Sequence, residues 1–556
     1  MEVPGLAVLL ILLTPLAIAH GHQQKYSAIR NPILPGFQPD PSCIFVPEWD
    51  DTFFCATSSF GAFPGLPIHA SKDLQNWKLI GNALNREEQL PGLGLLNSTT
   101  GGIYAPTLRY KDGTFWLATT LVHADYPRDD TSRWDNIIFH TENPYREETW
   151  SLAVHFDFEG YDPSPFWDRD GQAYMVASYY WRKELAIKIA KIDLRSGRTA
   201  PWETIWSGTG GIAPEGPHIY YKDKMYYLVI AKGGSAEGHM VTMAHSPRLK
   251  GPYEANPANP VLTAVNTTNF FQTIANVFVS LGLRWAVALA TRVGSSHEHY
   301  PMGRESVLTP VRWEKGQWPI LSPIENTMEG WPRPATSHVR GDGPWIGADD
   351  DVDFASGSAL PRHFTHWRFP RASNYEISPR GRPYTLKLNP SAANLTYDGA
   401  SAPPGGQTFL GRRQEHTLFT FSIEWNILRA LWTRKLHVDM GVRVSHTDSQ
   451  LHFRVGGISP VQRPPEYRVP LPETWLHEKL HLEIRAFNFT HYSMSAGPVN
   501  ARSHMKTLAY VDNAIFGGRS FTGVFVGVYA TSNGGNGTTP AYFSNWSYTA
   551  QGQFFN

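Results

Sequence analysis

The sequence predicts an all-β chain, a five-bladed β-propeller followed by a β-sandwich. Three observations carry that prediction. A short phrase recurs five times in the first 300 residues. Helical i, i+3, i+4 patterning is scarce throughout. Glycine and proline, 48 and 43 of 556 residues, supply many turns, and aromatic residues make up 13%.

The recurring phrase is a turn, an aromatic, then a small or apolar run. It reads DDTFFCATSS from Asp50, DGTFWLATT from Asp112, DGQAYMVAS from Asp170, DKMYYLVIA from Asp223 and GLRWAVALA from Gly282. The matched aromatics Phe54, Trp116, Tyr174, Tyr226 and Trp285 are separated by 62, 58, 52 and 59 residues. Each unit has room for four short strands, the content of a propeller blade.

A preceding strand in each unit begins with its own signature. These starts are Asp40-Pro41-Ser42, Ala105-Pro106-Thr107, Asp162-Pro163-Ser164, Glu215-Gly216-Pro217 and, in the fifth unit, near Ile274-Ala275-Asn276. The innermost strands of a propeller line its channel, so equivalent starts converge at one mouth. That places three carboxyl groups, Asp40, Asp162 and Glu215, together. Crowded acids in a partly dry channel repel, so one holds a proton while another stays ionised. Two carboxyl groups with separated pKa values are what glycoside hydrolysis requires. Taken singly, an Asp-Pro-Ser is a capped turn, and clustered acids also suit calcium.

Basic and acidic residues balance at 49 each, so nothing marks a nucleic-acid partner. Val8 to Leu13 is apolar and Ala17-Ile18-Ala19 follows, which predicts a signal peptide cleaved after Ala19 and a secreted, extracellular protein. No second such run predicts a membrane contact after cleavage. The two cysteines, Cys43 and Cys55, flank a turn. If Val46 pairs with Thr52, Cys43 faces Cys55 and a disulfide fits a secreted chain; the alternative is two buried thiols.

The pattern resembles glycoside hydrolase family 43, the β-xylosidases and α-L-arabinofuranosidases. The matching stretches are NPILPGFQPDPS (Asn31 to Ser42), PIHASKDLQNW (Pro67 to Trp77), GGIYAPTLRYKDGTFW (Gly101 to Trp116), FDFEGYDPSPFWDRDG (Phe156 to Gly171), IAPEGPHIYYKD (Ile212 to Asp223) and GRESVLTPVRW (Gly303 to Trp313). GRRQEHTLFTFS (Gly411 to Ser422) and FTGVFVGVYATSNGG (Phe521 to Gly535) resemble the concanavalin A-like sandwich behind such propellers. The resemblance implies Asp40 as general base, Glu215 as general acid, and Asp162 as the group that raises and orients the acid. It implies Arg304 as a substrate-binding arginine and inversion at the anomeric carbon. Phe60 and Tyr104 are candidate sugar-stacking rings near the mouth. The implied substrate is a xylo-oligosaccharide or arabinoxylan-type glycan, and no cofactor is required.

One phrase departs from the family pattern. Relatives carry a histidine on the inner strand of blade five, where it helps order water or a pocket cation such as calcium. Here Gln272 to Arg292 contains none. That departure motivates an alternative, a catalytically impaired carbohydrate-binding protein on the same scaffold. A retaining fructosidase on a similar propeller is a third reading, but its Asn-Asp-Pro-Asn start is absent.

The implied domains are the signal peptide (1–19), the propeller (20–320), a Pro- and Gly-rich linker (321–355) and the sandwich (356–556). Asp349, Asp350, Asp351 and Asp353 read as a solvated acidic turn. Trp425 to Val442 reads as an interruption of the sandwich pattern. Tyr542 and Phe543 are candidates for a contact that closes the propeller pocket.

Overall fold

The computed structural model describes residues 28–554, apart from 97–99, 281–284, 294–298, 330–337, 396–405, 426–428, 434–435, 445–448, 458–461, 477 and 517–521. The side chains of 273, 275–280, 429–436 and 444 also lie outside the description. The proposed signal peptide falls wholly outside the described residues.

Five antiparallel sheets, each built on four strands, follow one another from Ser42 to Leu321. Their inner strands are Ser42–Val46, Gly102–Lys111, Gly160–Trp167, Glu215–Lys222 and Phe271–Ser280. The recurring phrase forms the second strand of each: Thr52–Ala56, Thr114–Val122, Ala173–Tyr179, Met225–Lys232 and Trp285–Arg292. Apolar residues on both faces of these strands are needed because each sheet packs between two others.

The packing closes a ring. Ile44, Phe54 and Leu66 of the first sheet meet Phe115 and Phe139 of the second. Trp116 and Ile138 meet Met175 of the third, and Val176 and Ile189 meet Leu228 of the fourth. Val229 and Met243 meet Ala288 and Val307 of the fifth, and Val287 and Leu308 return to Phe53 and Trp77 of the first. Each fully buried large side chain contributes about 1.5–3 kcal/mol. The N-terminal segment fastens the ring: Ile29–Arg30 pairs with Thr327–Met328, and Asn31 Nδ2 donates to the Leu308 carbonyl at 2.9 Å.

A bulge shapes the channel mouth. In the second sheet Tyr104 pairs with Thr120, but Thr107 pairs with Ala118, so Ala105 and Pro106 together oppose the single residue Thr119 and one of them is extra. The same shift sets Asp162-Pro163, Gly216-Pro217 and Thr273-Ile274 each against a single residue in the next three sheets. Asp40-Pro41 stands likewise between the Ser58-to-Pro39 backbone bond and the Ser42–Ala56 pair. Proline suits this position because the bulged residue makes no ladder bond. The residue before it is left-handed, with φ of +53° at Asp40, +41° at Ala105, +55° at Asp162 and +57° at Gly216.

The register corrects one expectation. Asp40 and Asp162 occupy equivalent places, but Glu215 lies one residue earlier, matching Tyr104, Tyr161 and Gln272. Gly216 takes the left-handed place that aspartate takes elsewhere. The fifth unit correspondingly starts at Gln272, before the expected Ile274.

The C-terminal half is a sandwich of two antiparallel sheets. One contains Tyr375–Ile377, Leu386–Leu388, Ala541–Gly552, Leu418–Trp425, Leu480–Ala486, His491–Pro498 and Lys506–Asp512, with Asp350–Val352 also on Ala541–Gly552. The other contains Thr408–Arg413, Phe525–Ala530, Arg429–Thr433, Leu436–Val444, Ser449–Gly456 and Tyr467–Pro470. Alternation along Leu418–Trp425 buries Phe419, Phe421, Ile423 and Trp425.

Three more expectations change here. The stretch from Trp425 to Val442 is not an interruption: Arg429–Thr433 and Leu436–Met440 pair as a hairpin. The linker is not strandless, because Thr327–Met328 closes the propeller and Asp350–Val352 joins the sandwich. Asp350 is not solvated either. It is buried, with Arg412 Nη1 at 2.8 Å, His363 Nε2 at 2.9 Å and Trp546 Nε1 at 3.1 Å.

Candidate active site

Asp40, Asp162 and Glu215 reach the mouth from three different sheets. Asp40 and Asp162 are buried, and the Glu215 side chain keeps 15% of its surface open. Ser58 Oγ donates to Asp40 Oδ2 at 2.6 Å and accepts from the Ala105 amide at 2.7 Å. The amide thereby fixes the direction of the serine proton. Arg304 Nη1 stands 3.9 Å from Asp40 Oδ1, and its Nη2 donates to the Ser235 carbonyl at 2.8 Å.

Asp162 Oδ2 accepts the Gly216 amide at 3.0 Å. Burial pushes its pKa well above the usual carboxylate range, and the negative charges of Glu215 and then Asp40 push the same way. The Gly216 amide and the Arg304 guanidinium oppose the shift without reversing it. A negative charge on Asp162 is therefore disfavoured beside Glu215.

Two neighbours of Glu215 were not singled out from the sequence. Tyr161 Oη donates to Glu215 Oε2 at 3.4 Å, and His239 Nε2 lies 3.3 Å from Oε1. Burial first, then the charges of Glu215 and Asp162, hold the Tyr161 phenol protonated well above its ordinary range. Tyr161 was adjacent to the DPS phrase and shares the register place of Glu215, so repeat alignment could have found it. His239 lies beyond the second strand in a Gly-rich loop, and no sequence signal placed it here.

Deeper in the channel, Ser164 Oγ lies 3.0 Å from His218 Nδ1, and Arg109 Nη2 lies 3.3 Å from the same nitrogen. Burial and the Arg109 charge keep His218 neutral, well below its usual range. A buried histidine thus stands on the inner strand of blade four, whereas the inner strand of blade five, Phe271–Ser280, has no histidine in its sequence. With the Arg109 guanidinium beside it, the described part of this floor does not fit a cation. Among the described residues, no group of three or more His, Cys, Asp or Glu is arranged to hold a metal ion.

The aromatic expectations divide. Phe60 is 1% exposed and packs on Phe37 at 5.2 Å and Tyr104 at 4.3 Å between ring centroids. Its ring fills the joint between the domains and presents no open sugar-stacking face. Tyr104 is half-buried and keeps part of its surface accessible. Cys43 and Cys55 face each other in register and form a disulfide with Cα atoms 4.1 Å apart.

The sandwich meets the propeller at this site, but through other residues than expected. Phe543 is fully buried in the sandwich core, and Tyr542 lies under Arg382. The contact is made by Phe525, whose ring is 6.1 Å from that of Phe37, and by Arg413, whose Nε donates to the Phe37 carbonyl at 3.0 Å. A Cβ at Gly303, the residue before Arg304, would lie 2.5 Å from the Gly523 nitrogen. Backbone contact between the domains therefore sets both the segment leading to Asp40 and the one carrying Arg304.

Comparison with known proteins gives a family for both halves of the chain. The model of glycosyl hydrolases family 43 matches residues 29–319, and that of the beta xylosidase C-terminal concanavalin A-like domain matches 428–549. A non-reducing end alpha-L-arabinofuranosidase of Bacteroides ovatus is 33% identical over 537 residues, covering 92% of this chain and 93% of its own. A xylan 1,3-beta-xylosidase of a Vibrio species is 40% identical over 245 residues, covering 43% of this chain and 44% of its own. A solved Bacteroides ovatus family 43 structure, from a xyloglucan PUL, superposes with a TM-score of 0.80 at 30% identity. That superposition covers 94% of this chain and 100% of the other. The chain belongs to glycosyl hydrolases family 43 and is a glycosidase with a C-terminal concanavalin A-like domain.

Proposed function

We propose that the protein is a secreted, exo-acting, inverting glycosidase that removes terminal β-D-xylosyl or α-L-arabinofuranosyl units from plant cell-wall glycans. The observation that carries this reading is the meeting of Asp40, Asp162 and Glu215, with Asp162 tied to the backbone that bears Glu215.

In one displacement, Asp40 takes a proton from water as the oxygen attacks the anomeric carbon. The glycosidic C–O bond breaks, and Glu215 gives its proton to the leaving oxygen. Asp162 orients Glu215 through the Gly216 amide, and the repulsion between the two carboxyl groups disfavours two full charges there. Arg304 holds sugar hydroxyls and sets a positive charge 3.9 Å from Asp40. One proton moves in each direction, and the reaction as written calls for no cofactor. The disulfide and the N-terminal apolar run support a secreted location.

The test is hydrolysis of matched aryl β-D-xyloside and aryl α-L-arabinofuranoside, with the first-formed anomer read by NMR. Turnover of one or both with inversion supports the reading. A folded protein that binds xylo-oligosaccharides but turns over neither substrate would favour the impaired binding protein instead.

A further inference from the structure

A polar cleft of about 470 Å³ opens on the outward face of the six-stranded sheet. Its working groups are Arg443, His452, Arg454, Arg468 and Tyr529, with Thr531 and Ser532 on the rim. Beneath it lies Asp439, fully buried. Asp439 accepts Arg454 Nε at 2.8 Å, His452 Nε2 at 2.9 Å and Tyr529 Oη at 3.1 Å, and His437 Nε2 lies 3.2 Å away. Hydrogen bonds from the histidines and the charge of Arg454 outweigh burial and hold the Asp439 carboxyl far below its usual range.

This arrangement is costly unless it holds something in place. A buried carboxylate needs partners, and here it fixes Arg454 and His452, which line the cleft. Arg454 gives Nε to Asp439 at 2.8 Å and Nη2 to Tyr529 Oη at 3.5 Å, and its side chain keeps 28% of its surface open in the cleft lining. His452 is 8% exposed, and its Nδ1 has no hydrogen-bond partner. Arg443 is exposed, and Arg468 is half-exposed with Glu466 at 2.6 Å. The cleft thus gathers three guanidinium groups against two carboxylates that are already engaged.

We propose that this cleft binds the carboxylate of a uronosyl residue within an oligosaccharide. The guanidinium forks match a planar carboxylate, and the hydroxyl-bearing rim suits the ring hydroxyls. The choice of a sugar acid over another anion rests on the glycan-hydrolysing reading above. Strand Phe525–Ala530 links the two places: Phe525 packs beside Phe37 near the active site, and Tyr529 lies in the cleft. They are about 13 Å apart along the strand. The cleft would then favour acid-decorated chains over plain ones.

Calorimetric titration of the whole protein tests this, using a xylo-oligosaccharide with one glucuronosyl branch and the same chain without it. The branched chain is expected to bind about tenfold more tightly. In Arg443→Ala/Arg468→Ala that preference should disappear, while aryl glycoside turnover stays unchanged because both side chains belong to sandwich strands and the acids to propeller sheets. Arg454→Lys, which keeps the charge but loses the fork, should lose most of it. Equal affinity for both chains with the cleft intact, or full preference retained in the double variant, would overturn the proposal. So would binding of free glucuronate without preference for the branched chain, which marks a simple anion site. The titrations are run in the Glu215→Gln background so that the oligosaccharides are not consumed, and failure of the wild type to cleave aryl glycosides counts against the proposed reaction alone.

Discussion

Asp162 accepts the amide of Gly216 at 3.0 Å, so the carboxyl whose pKa burial raises is bonded to the residue directly following Glu215. The two acids lie on adjacent inner strands, and this bond fixes their relative position through backbone. A side-chain contact alone would leave Glu215 free to swing.

Replacing the proposed acid should expose its role by the leaving group. Glu215→Gln is expected to lower kcat/KM by about 10²–10⁴ for aryl glycosides whose leaving oxygen needs a proton. Substrates with a leaving group that departs as a stable anion should lose far less. A leaving-group series measured on the wild type and the variant checks this. Equal losses across the series would remove Glu215 from the role.

Asp162 predicts an unusual pH dependence of stability. Its folded pKa is raised, so the native state binds the proton more tightly than the unfolded chain. That contribution is fully present below the ordinary carboxylate pKa and fades as pH rises toward the folded value. Asp162→Asn carries no such charge, so its melting temperature should fall less between pH 4 and pH 7.5, while activity drops. A parallel pH dependence in both proteins would contradict the shift.

The disulfide lies three residues beyond Asp40. Cys43→Ala/Cys55→Ala removes a cross-link over a sequence separation of 12 residues. The expected cost is about 2–4 kcal/mol, read from denaturant unfolding. An unchanged unfolding midpoint would show that the first sheet needs no such constraint.

Gly523 should be more sensitive than an ordinary loop glycine. A Cβ there would lie 2.6 Å from the Met302 carbonyl oxygen and 2.7 Å from Phe37 Cβ. Both neighbours lead directly to the site, to Arg304 and to Asp40. Gly523→Ala is expected to lower kcat by up to about 10²-fold through misplacement, with stability also reduced. Gly534→Ala, with open space around its Cβ, is the control for a strained but uncrowded glycine. Full activity in the Gly523 variant would mean that the sandwich does not position the acids.

Much of the propeller is legible in the sequence because a blade is a local object. Turn, aromatic and apolar run lie within about ten residues in every unit, and short-range chemistry repeats visibly. The DPS phrases are legible for the same reason. A left-handed bulge before proline tolerates aspartate, so the acid and its backbone appear together at Asp40 and Asp162. Glu215 escapes an exact alignment because glycine takes that place in its blade and the acid stands one residue earlier.

The amino-acid sequence by itself determined the five units, their order, the three acids, the cysteine register and the sandwich that follows. Only the tertiary structure decided which groups surround those acids. Ser58, Tyr161, His239 and Ser235 come from separate strands and loops, and their contacts depend on how sheets turn around a shared axis. The domain joint is of the same kind. Phe60 looks like a sugar platform in sequence, yet Phe37 and the sandwich cover it, whereas Phe525 and Gly523 reach the site from the far end of the chain. Local patterns record propensity and register, but burial and charge neighbours arise from contacts between distant segments, which no local pattern encodes.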